Sequence, residues 1–236
     1  SNVVSNLKDL ISDNGVIIIE DPSFLNCIKN NSYDQFYNEH IYVLSAIGFS
    51  NILKKHELEI FDLENINVHG GSLRYFIKKI SNKSFKKTSK VLKQINMEKK
   101  AGLEKFSTYL KFAKNVYKSK KLLVKLFDKL KNSNKKIIGY GATAKAVTVL
   151  NFCNLKENYI DYFFDTTEGK INKYLPGTKI KVLKYEKLKK DKNLFVFLGA
   201  WNFKSEILKK ENLFFKNSGK FITHIPYPKI IKKNET

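Results

Sequence analysis

From Lys136 to Pro226 short apolar runs alternate with helical segments, and this alternation constrains the fold more than any other feature of the chain. KIIGYG (136–141) is followed by ATAKAVTVLNFC (142–153), YIDYFFD (159–165), KIKVL (179–183), NLFVFLG (193–199), KSEILKKENLFFKN (204–217) and KFITHIP (220–226). Strands separated by helices cannot pair as tight hairpins. Each connection crosses over, so the strands lie parallel with helices against the sheet. The closing residues, PYPKIIKKNET, read as a tail.

The first half is patterned differently. Residues 2–12 have helical spacing, a DNG turn follows, and VIIIE (16–20) is a continuous apolar strand ending at Glu20-Asp21-Pro22. Carboxylates at the carboxyl end of a strand lie in the ligand crevice of a parallel sheet, which makes Glu20 and Asp21 cofactor candidates. Residues 32–47 and 47–57 read as two helices. LEIFDLE and SLRYFIKKI alternate at period two around NINVHGG, an antiparallel hairpin with a long loop. From Lys83 to Lys131 an apolar stripe on a lysine-rich background predicts two or three connecting helices, broken at Gly102. The expected division is 1–80, a helical connector 81–134, a parallel-sheet domain 135–228 and a tail 229–236.

Composition excludes some functions. The net charge of +22 suggests phosphate recognition, but of 44 basic residues only Arg74 is an arginine. Readers of bases lean on arginine's fork, so lysine spread along the whole chain reads as a solvated surface and no nucleic-acid partner is expected. No apolar run spans a bilayer, and no membrane partner or leader is expected. Cys27 and Cys153 match no metal-ligand spacing; they read as buried thiols in a reducing, cytoplasmic setting, with no metal. The only methionine is Met97 and the chain starts at Ser1 in mid-pattern, so a piece of a longer protein is expected.

Three segments carry chemistry. In YDQFYNEH (33–40), helical spacing would put Tyr37 and His40 on one face, a histidine and a phenol suited to proton abstraction near neutral pH; the alternative is a surface histidine beside packing aromatics. In HGGSLR (69–74), two glycines permit close backbone approach and Arg74 could bind a phosphate or carboxylate through two N–H groups. The GYGATAK turn (139–145) follows a strand and opens a helix, the setting of a phosphate-binding turn, with Asp165 placed as a ribose ligand; the alternative is a Rossmann-like domain with no cofactor. Ala144 stands where a third glycine would allow close helix–strand packing.

Together, YDQFYNEH, HGGSLR, GYGATAKAVTVLN, LPGT, WNFKSEI and GKFITHIP resemble the sugar C-methyltransferases that act on nucleotide-linked keto-deoxysugars, over residues 12–228. The resemblance implies an α/β protein made of the C-terminal part of an S-adenosylmethionine methyltransferase domain, the connector and a Rossmann-like domain. It implies that His40 removes a proton beside the ketone, with Tyr37 and Glu39 orienting the base and sugar. It further implies a nucleotide-diphosphate sugar held by Tyr33, His69, Gly70, Gly71, Arg74, Gly139, Gly141, Lys145, Asn151, Asp165 and Trp201. S-adenosylmethionine would touch this chain only at Glu20 and Asp21, its main loop lying elsewhere. Two rivals remain: an NAD(P)-dependent oxidoreductase using Gly139, Gly141 and Asp165, and a non-catalytic nucleotide-sugar-binding fragment. The sequence does not identify the oligomeric state.

Overall fold

A computed structural model describes residues 2–68 and 70–231, which divide into two compact units. The first comprises Ser1–Asn30 and His40–Phe112, the second Asn31–Glu39 and Ala113–Thr236.

In the first unit, α1 (Asn2–Leu10), β1 (Ile17–Pro22), α2 (Phe24–Asn30) and α3 (Ala46–Lys54) precede the hairpin β2 (Leu58–Ile66) and β3 (Ser72–Lys79), and α4 (Ser89–Lys100) follows. The sheet order is β1-β3-β2 and both pairings are antiparallel. Strand β1 therefore does not sit in a parallel sheet, and the expectation that Glu20 and Asp21 end such a strand is corrected. In β2 Leu58 and Ile60 are buried two apart, but Phe61 is buried directly after Ile60 and the two-residue step resumes at Leu63. The ladder absorbs this extra residue as a register shift between Ile60 and Asp62. The bulge frees Phe61 to stack on Phe85, with ring centroids 4.9 Å apart. Leu58, Ile60, Leu63, Leu73, Tyr75 and Ile77 then form one core with Phe49 and Leu53 of α3 and Val91 of α4.

The expected helix over 32–47 is also corrected. Only Tyr33–Gln35 is helical, as one 3₁₀ turn, and residues 36–45 form bends, turns and irregular chain. Leu44 shows the reason: its N–H donates to Asp21 at 3.3 Å and its C=O accepts from the Phe24 N–H at 3.0 Å, so both backbone groups have non-helical partners.

The second unit contains most of α5 (Phe106–Asn132), then β4 (Lys136–Tyr140), α6 (Ala144–Cys153), β5 (Tyr162–Asp165), β6 (Lys181–Lys184), β7 (Leu194–Leu198), α7 (Lys204–Lys210), α8 (Asn212–Lys216), β8 (Lys220–Thr223) and β9 (Lys229–Ile230). The sheet order is β6-β5-β4-β7-β8-β9, parallel except for β9, which runs antiparallel to β8. Taken in their own order the five parallel strands run 3-2-1-4-5, a doubly wound sheet whose switch point lies between β4 and β7. One face packs on α7 and α8 through Ile138, Val196, Leu198, Phe214 and Phe221. On the other, Phe197 meets Phe127 of α5 and Phe163. Two further expectations are refined: 204–217 is two short helices rather than one, and Lys229–Ile230 is a strand rather than tail. The break near Gly102, where φ is +78°, separates α4 from α5 as expected.

A buried carboxylate closes the first unit. Glu98 of α4 is 0% exposed and accepts the N–H groups of Ala46 and Ile47, each at 2.9 Å, at the first turn of α3, and the Gln94 amide at 2.9 Å. Two orphan donors and the positive end of the helix dipole take the place of a cation. Glu98→Ala should cost about 2–4 kcal/mol in chemical denaturation, because it leaves these donors buried without an acceptor; a loss below about 0.5 kcal/mol would show that Glu98 does not cap α3.

Candidate functional site

The switch point of the second unit is built from two short turns. After β4, Gly141 adopts φ +85°, and a Cβ there would lie 2.6 Å from that of Ala200, which follows β7. Only glycine fits that turn. Gly139 is constrained differently, since its absent side chain leaves room for the ring of Phe163. The close approach of helix and strand is made by Ala146, buried against Gly199, whereas Ala144 is exposed. Ala144 therefore does not crowd this packing, contrary to expectation.

Asp165 ends β5 and braces both neighbouring loops. One carboxylate oxygen accepts the Ala142 N–H at 2.8 Å, the other the Thr167 N–H at 2.8 Å, and Lys170 lies 3.6 Å away. Burial works to raise the carboxyl, but the Thr167 hydrogen bonds, the Lys170 charge and the Ala142 N–H outweigh it and hold it below the ordinary value. Thr143 caps α6, accepting from the Ala146 N–H at 3.1 Å and donating to the Gly199 carbonyl at 2.8 Å.

Beside these turns lies a cleft of about 330 Å³, lined by Tyr140, Gly141, Thr143, Phe164, Tyr185 and Phe203 among others. Its two tyrosines point their hydroxyls inward to Glu211, which is 1% exposed and also accepts the Leu188 N–H at 3.1 Å. Burial and the Glu211 acceptor push Tyr185 up to about 12 and raise Tyr140 further. Sequence reasoning missed Glu211, because it lies in a Lys-Lys-Glu-Asn stretch that reads as solvated helix.

The remaining candidates fall into separate groups. Asn151 donates to the carbonyls of Val147 and Pro176, both at 2.9 Å, and so clamps the LPGT loop to α6. Lys145 is 5% exposed, its ammonium 5.3 Å from the centre of the Trp201 ring. Tyr33 is buried against Phe152, its hydroxyl 3.9 Å from the Cys153 sulfur. Burial raises that phenol and pushes the Cys153 thiol up to about 11.

In the first unit, His40 presents Nδ1 to Asp21 at 3.6 Å. Burial raises the Asp21 carboxyl, opposed by the Leu44 N–H and by His40. Tyr37 and His40 share no helix face, since the chain turns between them, and Tyr37 and Glu39 belong with the second unit. Arg74 faces two carboxylates in register across three strands. Its Nε and Nη2 reach Glu20 at 3.2 and 2.9 Å, and its Nη1 lies 3.6 Å from Glu64. Gly70 and Gly71 have φ of +85° and +110°, and a Cβ on Gly71 would strike Asn26 of α2, so Gly71 serves the loop's own packing. His69 lies outside the described residues.

A family model described as the C-methyltransferase C-terminal domain matches residues 67–226. The chain belongs to that family. The C-methyltransferase NovU of Streptomyces niveus is 28% identical over 234 residues, which is 99% of this chain and 56% of NovU. The chain thus spans little more than half the length of that relative. The family region includes the switch point, the Asp165 brace, the LPGT clamp and the cleft, whereas β1, Asp21 and His40 precede it. Among the described residues no helix is long and apolar enough to cross a membrane, and no three ligating side chains gather as for a metal.

The Asp165 brace has a pH signature. Because folding lowers its carboxyl value, the stabilisation is present above about pH 4 and fades as the pH falls through the folded value. Asp165→Asn should cost about 1–3 kcal/mol at pH 7, since an amide N–H would face a backbone N–H. The gap to the parent should close below pH 4 in denaturation series, and a gap independent of pH would show that the charge is not what braces the loops.

Proposed function

We propose that the chain is the sugar-handling part of a C-methyltransferase that takes its methyl from S-adenosylmethionine and places it on a carbon beside the ketone of a nucleotide-linked deoxysugar. Family membership supports methyl transfer to carbon, and the observation that carries the mechanism is His40 with Asp21 at its Nδ1. A carboxylate there favours the Nδ1–H tautomer, so the basic nitrogen is Nε2, and it stabilises the imidazolium formed when the ring takes a proton. The ketone acidifies the neighbouring C–H; His40 Nε2 accepts that proton, and the electron pair passes to an enolate. Asp21 thereby takes the orienting role expected of Glu39.

The donor is a different matter. Glu20 is engaged by Arg74, while Asp21 is engaged by the Leu44 N–H and by His40. These two carboxylates do not fit as the donor's ligands, and no step through the donor is assigned to this chain. For the nucleotide, the Gly139–Gly141 turn is better supported than Arg74, whose two carboxylate neighbours oppose a phosphate. The buried thiols Cys27 and Cys153 support a reducing, cytoplasmic setting.

The test needs no methyl donor. With the chain and a thymidine- or uridine-diphosphate keto-deoxysugar in deuterated water, NMR should show exchange at the carbon beside the ketone. His40→Ala should slow it by at least about 100-fold with KM within a few-fold, the scale of a positioned base, and Asp21→Asn by about 10-fold. Exchange unaltered in His40→Ala would remove His40 from the mechanism. Saturable micromolar binding of NAD or NADP would instead favour an oxidoreductase, a reading that the strand order alone permits.

A further inference from the structure

The YDQFYNEH motif contains a buried carboxylate to which the function above gives no task. Asp34 is 0% exposed, inside the 3₁₀ turn Tyr33–Gln35, and its Oδ2 receives two groups from the far end of the chain. The indole N–H of Trp201 donates to it, and Nε2 of His224, itself 0% exposed, lies 3.1 Å away. Trp201 follows β7 and His224 follows β8, so a residue from early in the chain is bound at the carboxyl ends of two strands beyond the switch point. Among the described residues, Asp34 Oδ1 and His224 Nδ1 have no hydrogen-bond partner. The whole hold on this carboxylate therefore passes through Oδ2. Nearby contacts seat the same stretch: Asn31 donates to the Pro226 carbonyl at 3.1 Å, and the Tyr33 ring lies 5.5 Å from Phe152 and 6.0 Å from His224.

An uncompensated carboxylate in such surroundings would cost several kcal/mol, so it marks a place where the chain must be held in one geometry. Three residues beyond Asp34 comes Tyr37, and six beyond comes His40. We infer that Asp34 is a positioning residue. By binding Trp201 and His224 it fixes segment 31–39 on the second unit, and so fixes the point from which the chain runs on into Tyr37, Glu39 and His40. The catalytic part of this inference rests on the proposed role of His40; the anchoring part does not.

The protein carries its own probe, because Trp201 is its only tryptophan. In Asp34→Asn the side chain keeps its shape but offers the donors one neutral oxygen, and in Asp34→Ala it offers none. Hydrogen exchange measured by mass spectrometry should speed up more than tenfold in peptides from 31–39 of Asp34→Ala, with β4 to β8 unchanged, and Trp201 emission should shift to the red. Asp34→Asn should give a smaller change of the same kind. In the deuterium-exchange assay it should lower kcat about tenfold with KM within about threefold. Trp201→Phe, which removes only the indole donor, should reproduce the loosening of 31–39 if Asp34→Ala fails to fold. Protection of 31–39 unchanged in Asp34→Asn and Trp201→Phe would overturn the anchor. If the anchor loosens while kcat and KM hold, the positioning role falls but the anchor stands. If His40→Ala leaves exchange intact while 31–39 still loosens, it is the catalytic reading of His40 that fails.

Discussion

A carboxylate that accepts backbone N–H groups is the device on which both units of this protein depend. Asp165 ties the turn after β4 to the turn after β5, and Glu98 gives α3 its first turn. Each such acceptor satisfies donors that no helix or ladder can reach, at sites where leaving them unpaired would cost about 1–3 kcal/mol apiece. Without Asp165 the Ala142 N–H would lose its acceptor, the turn would be held to β5 by the Gly141 N–H on the Phe164 carbonyl at 2.8 Å, and the cleft beside it would lose one of its lining residues. The position of Gly141 against Ala200 then depends on that turn, as does the start of α6.

The choice of partner is instructive in a chain with a net charge of +22. Lysine is everywhere available, yet Glu98, Glu211 and Asp34 are held by amide, phenol, indole and imidazole groups. An ammonium is strongly hydrated, and burying one to meet a buried carboxylate costs two desolvations. Amide, phenol and indole donors, which carry no charge, cost less to bury. Apart from Lys78 and Lys145, which are buried, most of the lysine surplus stays outside, where ion pairs such as Lys79 with Asp13 contribute little. Arg74 belongs with those surface pairs. Its fork is matched to Glu20 and Glu64 across the sheet, which explains why one arginine stands there more simply than a phosphate does.

Much of the second unit could be read from its sequence because each strand is a short apolar run bounded by helical spacing, and periodicity reports burial directly. The hairpin of the first unit was equally legible, although a plain period of two missed the register shift between Ile60 and Asp62. What periodicity cannot report is the partner of a strand: VIIIE has the apolar run of a parallel strand, but β3 lies beside it in the opposite sense. Nor can it report a segment whose backbone is claimed by distant groups. Residues 32–47 have helical spacing, and Asp34 and Leu44 are instead held by Trp201, His224, Asp21 and Phe24. The sites follow the same rule. The glycine turn was found because its residues are local, whereas Asp34 with His224 and Glu211 with its tyrosines join residues far apart in the chain, and no spacing signals them.

That hidden pairing bears on which ligands a doubly wound sheet of this kind can take. Such a sheet offers a crevice in two halves, one on each side of the switch point, and a dinucleotide uses both. On the side of β4 and β5, the cleft is open and lined by Tyr140, Phe164 and Tyr185. On the other side, the donors that follow β7 and β8 are turned to a carboxylate of the chain itself, since Trp201 and His224 both address Asp34. A second nucleotide would have to displace a buried, doubly engaged side chain before it found those donors, and a group of the chain itself has the advantage of being covalently present at every moment. The contacts of Trp201 and His224 with Asp34 therefore weigh against a ligand that spans both halves, and they fit the proposed reading, in which the Gly139–Gly141 turn serves one nucleotide.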